Sequence, residues 1–265
     1  MNEKRMIDLE SILSFKLSGR FAHFRKFYTN SSSLSYLVPP RTVIIGILGS
    51  LLKLPRDSYY EIFNEETCKV SAAVVEGTVI KKITQSINML HDSYFRYLCK
   101  GKGSFRSIHS QCKLELLFSE PGRPIEYMVY ISMPPGDKYF LQLEQNVKHN
   151  IPGYGIYLGQ RPFRAGIEFL RRYQGNDTRF LEEAECLDSI CLQENVIEFK
   201  ESEDINVVIE QIPVHMKKQS AEKAAKQPGR EPVSIKRILF EKSGKRLMGK
   251  FKNCWQVADK VISFY

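Results

Sequence analysis

Between Leu17 and Arg41 the chain reads LSGRFAHFRKFYTNSSSLSYLVPPR. Arg20, His23, Arg25 and Lys26 are interleaved there with Phe21, Phe24, Phe27 and Tyr28. That mixture suits a single-stranded nucleic acid. Cationic side chains grip phosphates, and aromatic faces stack on unpaired bases, each stack contributing about 1–3 kcal/mol. Gly19 allows a close approach of backbone to ligand. Arg25, Lys26 and Arg41 read as phosphate contacts, whereas Phe21 and Phe24 read as core residues beneath a solvated loop.

Few other residues are spaced for chemistry. Lys148 and His149 are adjacent and could serve a metal-independent ribonuclease as cation and acid–base group. The alternative is a solvated helix end, where positive charge meets the C-terminal dipole. His23 stands alone and reads as a hydrogen-bonding or core residue. His91, His109 and His215 lack any carboxylate, Ser or Cys partner that the sequence places nearby. No paired carboxylates argue for a two-metal site. Gly46 and Gly49 do not belong to G-x-x-x-x-G-K-[ST], and G-x-G-x-x-G does not occur, so nucleotide hydrolysis has no support. Cysteines stand at 68, 99, 112, 186, 191 and 254 without C-x₂-C spacing, and no histidine pair has H-x₃₋₅-H spacing. They read as reduced, mostly buried thiols. No metal, cofactor or small-molecule substrate is expected.

The charge pattern points the same way. The chain has 265 residues and a formal charge of +9. No acid falls between Glu10 and Asp57, between Asp92 and Glu115, or between Glu144 and Glu168; these stretches carry seven, five and three bases. Gly175–Glu210 holds eleven acids against Arg179 and Lys200, and Gln211–Tyr265 holds thirteen bases against four acids. Acid-free stretches with interleaved aromatics are candidates for a polyanion surface, and the acidic block for a surface turned away from it. Charged residues at 26% and hydrophobic residues at 43% exclude a disordered chain. No apolar run approaches the roughly 20 residues of a membrane span, and MNEKRMIDLE is no signal peptide. A cytoplasmic protein is expected.

The elements that must position these residues alternate between two periods. Leu13, Phe15 and Leu17 alternate as a half-buried strand. After Pro39-Pro40, the residues Ile44, Ile47, Leu48, Leu51 and Leu52 share one helical face, with Gly46 and Gly49 marking a close approach. Cys68–Val75 reads as a strand. Leu114, Leu116 and Phe118, then a Ser119–Gly122 turn, then Ile125, Tyr127, Val129 and Ile131 read as a hairpin. Phe140, Leu143 and Val147 suggest a helix, and Gly153–Leu158 another strand. Strand, helix, strands, helix, strand is the ferredoxin-like order of an α+β fold. This core spans 1–164, with 81–110 inserted as a projection. A C-terminal β-rich lobe, 165–265, follows, with a mobile loop at about 217–232.

The run SGRFAHFRKFYTNSSSLSYLVPPRTVIIGILG resembles the N-terminal signature of the CRISPR-associated RAMP subunit that caps the 5′ end of the guide RNA, the Cas-five family, in its type I-B branch. The matching residues are Gly19, Ala22, Phe24, Arg25, Tyr36, Pro39, Pro40, Gly46 and Gly49. YLGQRPFRAGIEF, Tyr157–Phe169, resembles the family's later Leu-Gly element. The resemblance implies a subunit of a type I Cascade complex that holds the crRNA 5′ handle on a ferredoxin-like core. It implies an inserted thumb, here 81–110, reaching to the backbone subunit. It also implies contact with the large subunit, and with target DNA only indirectly. On this reading Arg20, Arg25, Lys26 and Arg41 hold handle phosphates, while Tyr36 and His23 stack on or hydrogen-bond to splayed bases. Arg161 and Arg164 close the groove beside Leu158-Gly159, and Lys100, Lys102 and Arg106 of the thumb meet the guide.

One branch of that family, that of type I-C, cleaves repeat RNA with a Tyr, a Lys and an adjacent His. Here the corresponding positions fall around Leu51–Lys53 and at Asp137-Lys138-Tyr139, with no His. The expectation is therefore a non-catalytic RNA-capping subunit. The alternatives are an endoribonuclease using Lys148 and His149, and a basic scaffold with no RNA preference.

Overall fold

The computed structural model describes residues 11–29, 33–90, 99–101, 109–134, 136–219 and 230–265. The alternating N-terminal segment is a strand, β1 (Ser11–Gly19). Short strands β2 (Phe21–Ala22), β3 (Phe24–Arg25) and β4 (Ser35–Tyr36) follow, and helix α1 (Arg41–Leu51) starts directly after the two prolines. Next come β5 (Lys69–Val74), β6 (Lys81–Leu90), β7 (His109–Phe118) and β8 (Ile125–Ser132). Helix α2 (Lys138–Lys148) and β9 (Ala165–Gln174) complete this half. Asp137 starts α2 by accepting from the N–H groups of Tyr139 and Phe140. Asn150, at φ +53°, ends it in the left-handed conformation that closes many helices.

Four of these strands form one antiparallel sheet in the order β5-β8-β1-β9. Each helix therefore connects two strands that flank a third: α1 joins β1 to β5 across β8, and α2 joins β8 to β9 across β1. Leu13, Phe15 and Leu17 of β1, Tyr127 and Val129 of β8, and Val70 of β5 share one apolar cluster with Ile44, Leu48, Phe140 and Leu143 of the helices. Both helices thus cover the same sheet face.

Two strand assignments differ from expectation. The strand completing the sheet is β9, not Gly153–Leu158, where glycines at positive φ (153, 155 and 159) make turns instead. The boundary expected after residue 164 falls at the foot of this strand. The segments 114–118 and 125–131 are both strands but do not pair with each other. β8 has its two edges occupied by β1 and β5, so β7 pairs with β6 in an unbroken register from Lys81↔Phe118 to Leu90↔His109, and with β2 on its other side. The insertion expected over 81–110 is thus a hairpin whose stem is described, while 91–98 and 102–108 lie outside the described residues.

Among the described residues, the rest of the chain forms seven strands joined by loops and two short 3₁₀ turns: β10 (Thr178–Leu187), β11 (Cys191–Leu192), β12 (Val196–Phe199), β13 (Val207–Lys218), β14 (Arg230–Glu241), β15 (Leu247–Val257) and β16 (Lys260–Ser263). Strand pairing reaches Lys218↔Arg230, shortening the loop expected over about 217–232; residues 220–229 lie outside the described residues. Ile212, Val214, Ile238, Phe240 and Tyr265 join the same apolar cluster as the two helices.

Charge segregated along the sequence is interleaved in space. The basic strand β15 lies between β10 and β12 of the acidic block. Lys250 meets Glu198 at 3.6 Å, Lys236 meets Glu194 at 3.2 Å, and Arg246 meets Asp188 at 2.9 Å. The expectation of a separate acidic surface is corrected accordingly: antiparallel pairing places successive blocks of opposite sign side by side.

The helical glycines do mark a close approach, but to a ring. A Cβ on Gly49 would stand 2.7 Å from Cδ1 of Tyr59. Gly49→Ala gains up to about 1 kcal/mol of helix propensity but loses about 1–3 kcal/mol to overpacking. Net destabilisation is expected, read as a lower urea midpoint; a raised midpoint would show that Tyr59 moves freely.

Candidate nucleic-acid interface

The two segments that the sequence singled out meet at one end of the core sheet. Gly19, the last residue of β1, pairs with Ile125 on one side and Ala165 on the other. Arg20 therefore leaves the sheet beside Arg164, which precedes Ala165, and near Arg123, two residues before Ile125. The loop from Pro152 to Arg164 is fastened against this end. His23 N–H donates to Leu158 O at 3.1 Å, and a Cβ on Gly159 would collide with His23 O. Its other end is fastened to α1, where Ser50 Oγ donates to Gly155 O at 2.8 Å and Tyr154 N–H donates to Ser50 O at 3.2 Å.

Gly19 is consumed in this packing. Its absent Cβ makes room for Leu158 Cδ1, 2.8 Å from where the Cβ would lie, so it serves the loop and not a ligand directly. What the fastened loop presents outward is cationic and aromatic. Arg20, Arg123, Arg161 and Arg164 are exposed and form no ion pair or side-chain hydrogen bond among the described residues. Tyr154 is 68% exposed, Phe21 43% and Tyr157 40%. The neighbouring carboxylates Glu126 and Glu168 are turned to Lys16, at 3.2 and 2.9 Å. That triad lies on the sheet face opposite the helices. Arg123 was missed at the sequence level because only the register of β8 against β1 brings it to Arg20.

Four residues expected to touch RNA are instead structural. Arg41 is fully buried, and its guanidinium donates to Val214 O, Phe63 O, Asn64 O and Cys68 O at 2.7–3.0 Å. Burial holds it below the usual arginine value. Tyr36 is fully buried, and its hydroxyl donates to Gln211 O at 2.6 Å. Lys26 lies 5.3 Å from the Tyr36 ring and pairs with Glu210 at 3.3 Å, so a member of the acidic block faces the cationic loop instead of turning away. Arg41, Tyr36 and Lys26 together tether β13 to the N-terminal segment. Phe24 is core, as expected, while Phe21 is not. Arg25 is exposed and donates to Thr29 O at 3.0 Å.

His23 is the fourth. It is 1% exposed, with Nδ1 2.7 Å from Glu115 O and Nε2 3.0 Å from Ser33 Oγ. A carbonyl only accepts, so Nδ1 carries the proton and Nε2 accepts from the serine. Desolvation lowers its pKa below the ordinary 6.5. The unfolded chain therefore binds the proton more readily, and the stability that neutral His23 contributes is lost as pH falls below 6.5 towards the lower folded value. Acid destabilisation is expected to flatten in His23→Gln, compared by urea titration at pH 7 and pH 5; an unchanged pH slope would assign the effect elsewhere.

Of the expected thumb bases, Lys100 is exposed, and Lys102 and Arg106 lie outside the described residues. Lys148 pairs with Glu144 at 3.9 Å and lies over the Phe169 ring at 5.3 Å. His149 caps α2, its Nδ1 2.9 Å from Gln145 O. Among the described residues no His, Cys, Asp or Glu cluster could hold a metal ion, and no helix is long and apolar enough to cross a membrane. The six thiols are unpaired, and burial pushes Cys68, Cys191 and Cys254 up to about 12.

The sequence matches no protein-family model, and no curated protein matches it. Solved structures do match the fold. A CRISPR protein from Archaeoglobus fulgidus superposes with a TM-score of 0.57 at 8% identity, covering 95% of this chain and 98% of that one. A chain of a CRISPR RNA-guided surveillance complex gives a TM-score of 0.49 at 12% identity, covering 87% and 89%. Nearly end to end, the chain has the fold of the archaeal CRISPR protein.

Proposed function

We propose that this chain is a non-catalytic RNA-binding subunit of a CRISPR effector complex, holding the 5′ handle of a crRNA in a type I-B-like Cascade. The observation that carries this reading is the group of four unpaired, exposed arginines (Arg20, Arg123, Arg161 and Arg164) set among exposed aromatic rings at one sheet end. Phosphates and unstacked bases are the groups such a surface takes up. The strand order β5-β8-β1-β9 with two crossover helices supports a ferredoxin-like RAMP core, and the β6–β7 hairpin supports a thumb towards the backbone subunit. Contact with the large subunit, and through it with target DNA, belongs to the same reading. The capping and ion-pair duties of Lys148 and His149 favour a non-catalytic role.

The test is purification of the full chain and incubation with single-stranded repeat-derived RNA in EDTA. Tight binding that weakens when the 5′ segment is exchanged, with the RNA intact, is expected. Clean cleavage lost in Lys148→Ala or His149→Ala would establish the ribonuclease instead, and binding indifferent to the 5′ segment would leave only a basic scaffold.

A further inference from the structure

A cleft of about 200 Å³ opens beside the arginine-bearing loop, between α1, the Tyr59-Tyr60 turn and the loop itself. It shares Tyr157 and Gly159 with that loop, and Tyr157 bridges to Arg164 across it. The cleft is therefore continuous with the cationic surface. Gly46 forms part of its α1 wall, and a Cβ there would meet only Tyr59 Oη, at 3.6 Å. Thr42 and Tyr59 also line it, and neither hydroxyl has a hydrogen-bond partner among the described residues. Tyr59 is only 8% exposed as a whole, but its hydroxyl keeps access to solvent, so a ligand edge there would take the place of water. Arg230, at the rim, is already neutralised by Asp57 at 2.6 Å, so the cleft itself is not an anion site.

We propose that this cleft receives one unstacked nucleobase of the bound strand. Its ring lies against Tyr157, its polar edge meets the hydroxyls of Thr42 and Tyr59, and Arg161 and Arg164 hold the phosphates beside it. The volume supports a single occupant: a cavity of about 150 Å³ accommodates one benzene-sized ring, so 200 Å³ suits one base and not a stacked pair. Two hydroxyls able to donate or accept read a base edge; sugar and phosphate stay outside. The inference rests on the RNA-binding reading above and adds a base-sensing position to it.

The probes are single-stranded 12-mers A12, U12 and C12, and a ribose-phosphate 12-mer without bases, titrated against the full chain at low salt. At least one base-bearing oligomer is expected to bind about tenfold or more tightly than the abasic one. That advantage should vanish in Gly46→Leu, which fills the cleft, and fall about tenfold in Thr42→Val/Tyr59→Phe, while abasic binding stays unchanged. Equal binding of abasic and base-bearing oligomers by the wild type, or an advantage that survives Gly46→Leu, would overturn the cleft assignment and leave RNA binding standing. Failure to bind any oligomer would overturn the RNA reading and the cleft with it.

Discussion

Arg41→Met is expected to lower the urea midpoint by about 1–2 M, a loss on the order of 4 kcal/mol. The guanidinium is fully buried and donates to carbonyls from three places in the chain: Phe63 and Asn64, Cys68, and Val214 of β13. Methionine fills much of the volume but donates nothing. Four carbonyls would then lose this donor, Asn64 O keeping the Cys68 N–H at 3.1 Å, and an unmatched buried polar group costs about 1–3 kcal/mol before relaxation. Such a loss is a large fraction of the 5–15 kcal/mol that stabilises an ordinary domain. Unchanged stability with weakened RNA binding would return Arg41 to the phosphate contacts that its neighbours in sequence suggested.

Reversing the outward arginines should do the opposite. Arg20→Glu/Arg161→Glu/Arg164→Glu is expected to keep the wild-type unfolding free energy, measured by urea titration, to within about 1 kcal/mol, because exposed side chains without partners contribute little to folding. Its affinity for single-stranded RNA should fall about a hundredfold at moderate salt. The slope of log affinity against log salt should shrink by about 2, since each phosphate contact on a single strand contributes about 0.7. Lys26→Met is the control. It removes a cation from the same sequence stretch but leaves Glu210 buried without its partner, so stability should fall while the salt slope holds. Equal salt slopes for the triple variant and the wild type would place the phosphates on another surface.

The comparison of these variants shows what a pattern of residue types conveys. Leu17–Arg41 reads as one cationic–aromatic stretch, yet its members divide into two sets. His23, Lys26, Tyr36 and Arg41 point inward, and Arg20 and Arg25 outward. Residue type does not separate them, because an arginine that ties carbonyls together and an arginine that awaits a phosphate need the same five donors. Three of the inward set are chosen by β13, which lies more than 170 residues later in the chain and supplies the carbonyls of Gln211 and Val214 and the carboxylate of Glu210, while His23 is held by Glu115 O of β7 and Ser33. No local rule reaches that far. The acidic block shows the same limit, since its partners, such as Lys250 for Glu198 across β12 and β15 and Lys236 of β14 for Glu194, are named only by the tertiary pairing.

Periodicity along the chain was sufficient for β1, α1, β5, β8 and α2, since each buries a face whose spacing is written in consecutive residues. What marks Gly19–Arg25 and Leu158–Arg164 as segments to join is the family resemblance, not the periodicity. Which edges those strands share, and therefore that β7 pairs with β6 and that Arg123 stands near Arg20, came only from tertiary structure. Hydrophobic alternation specifies a face but leaves open which strand lies alongside; that choice is made by the whole set of competing edges at once.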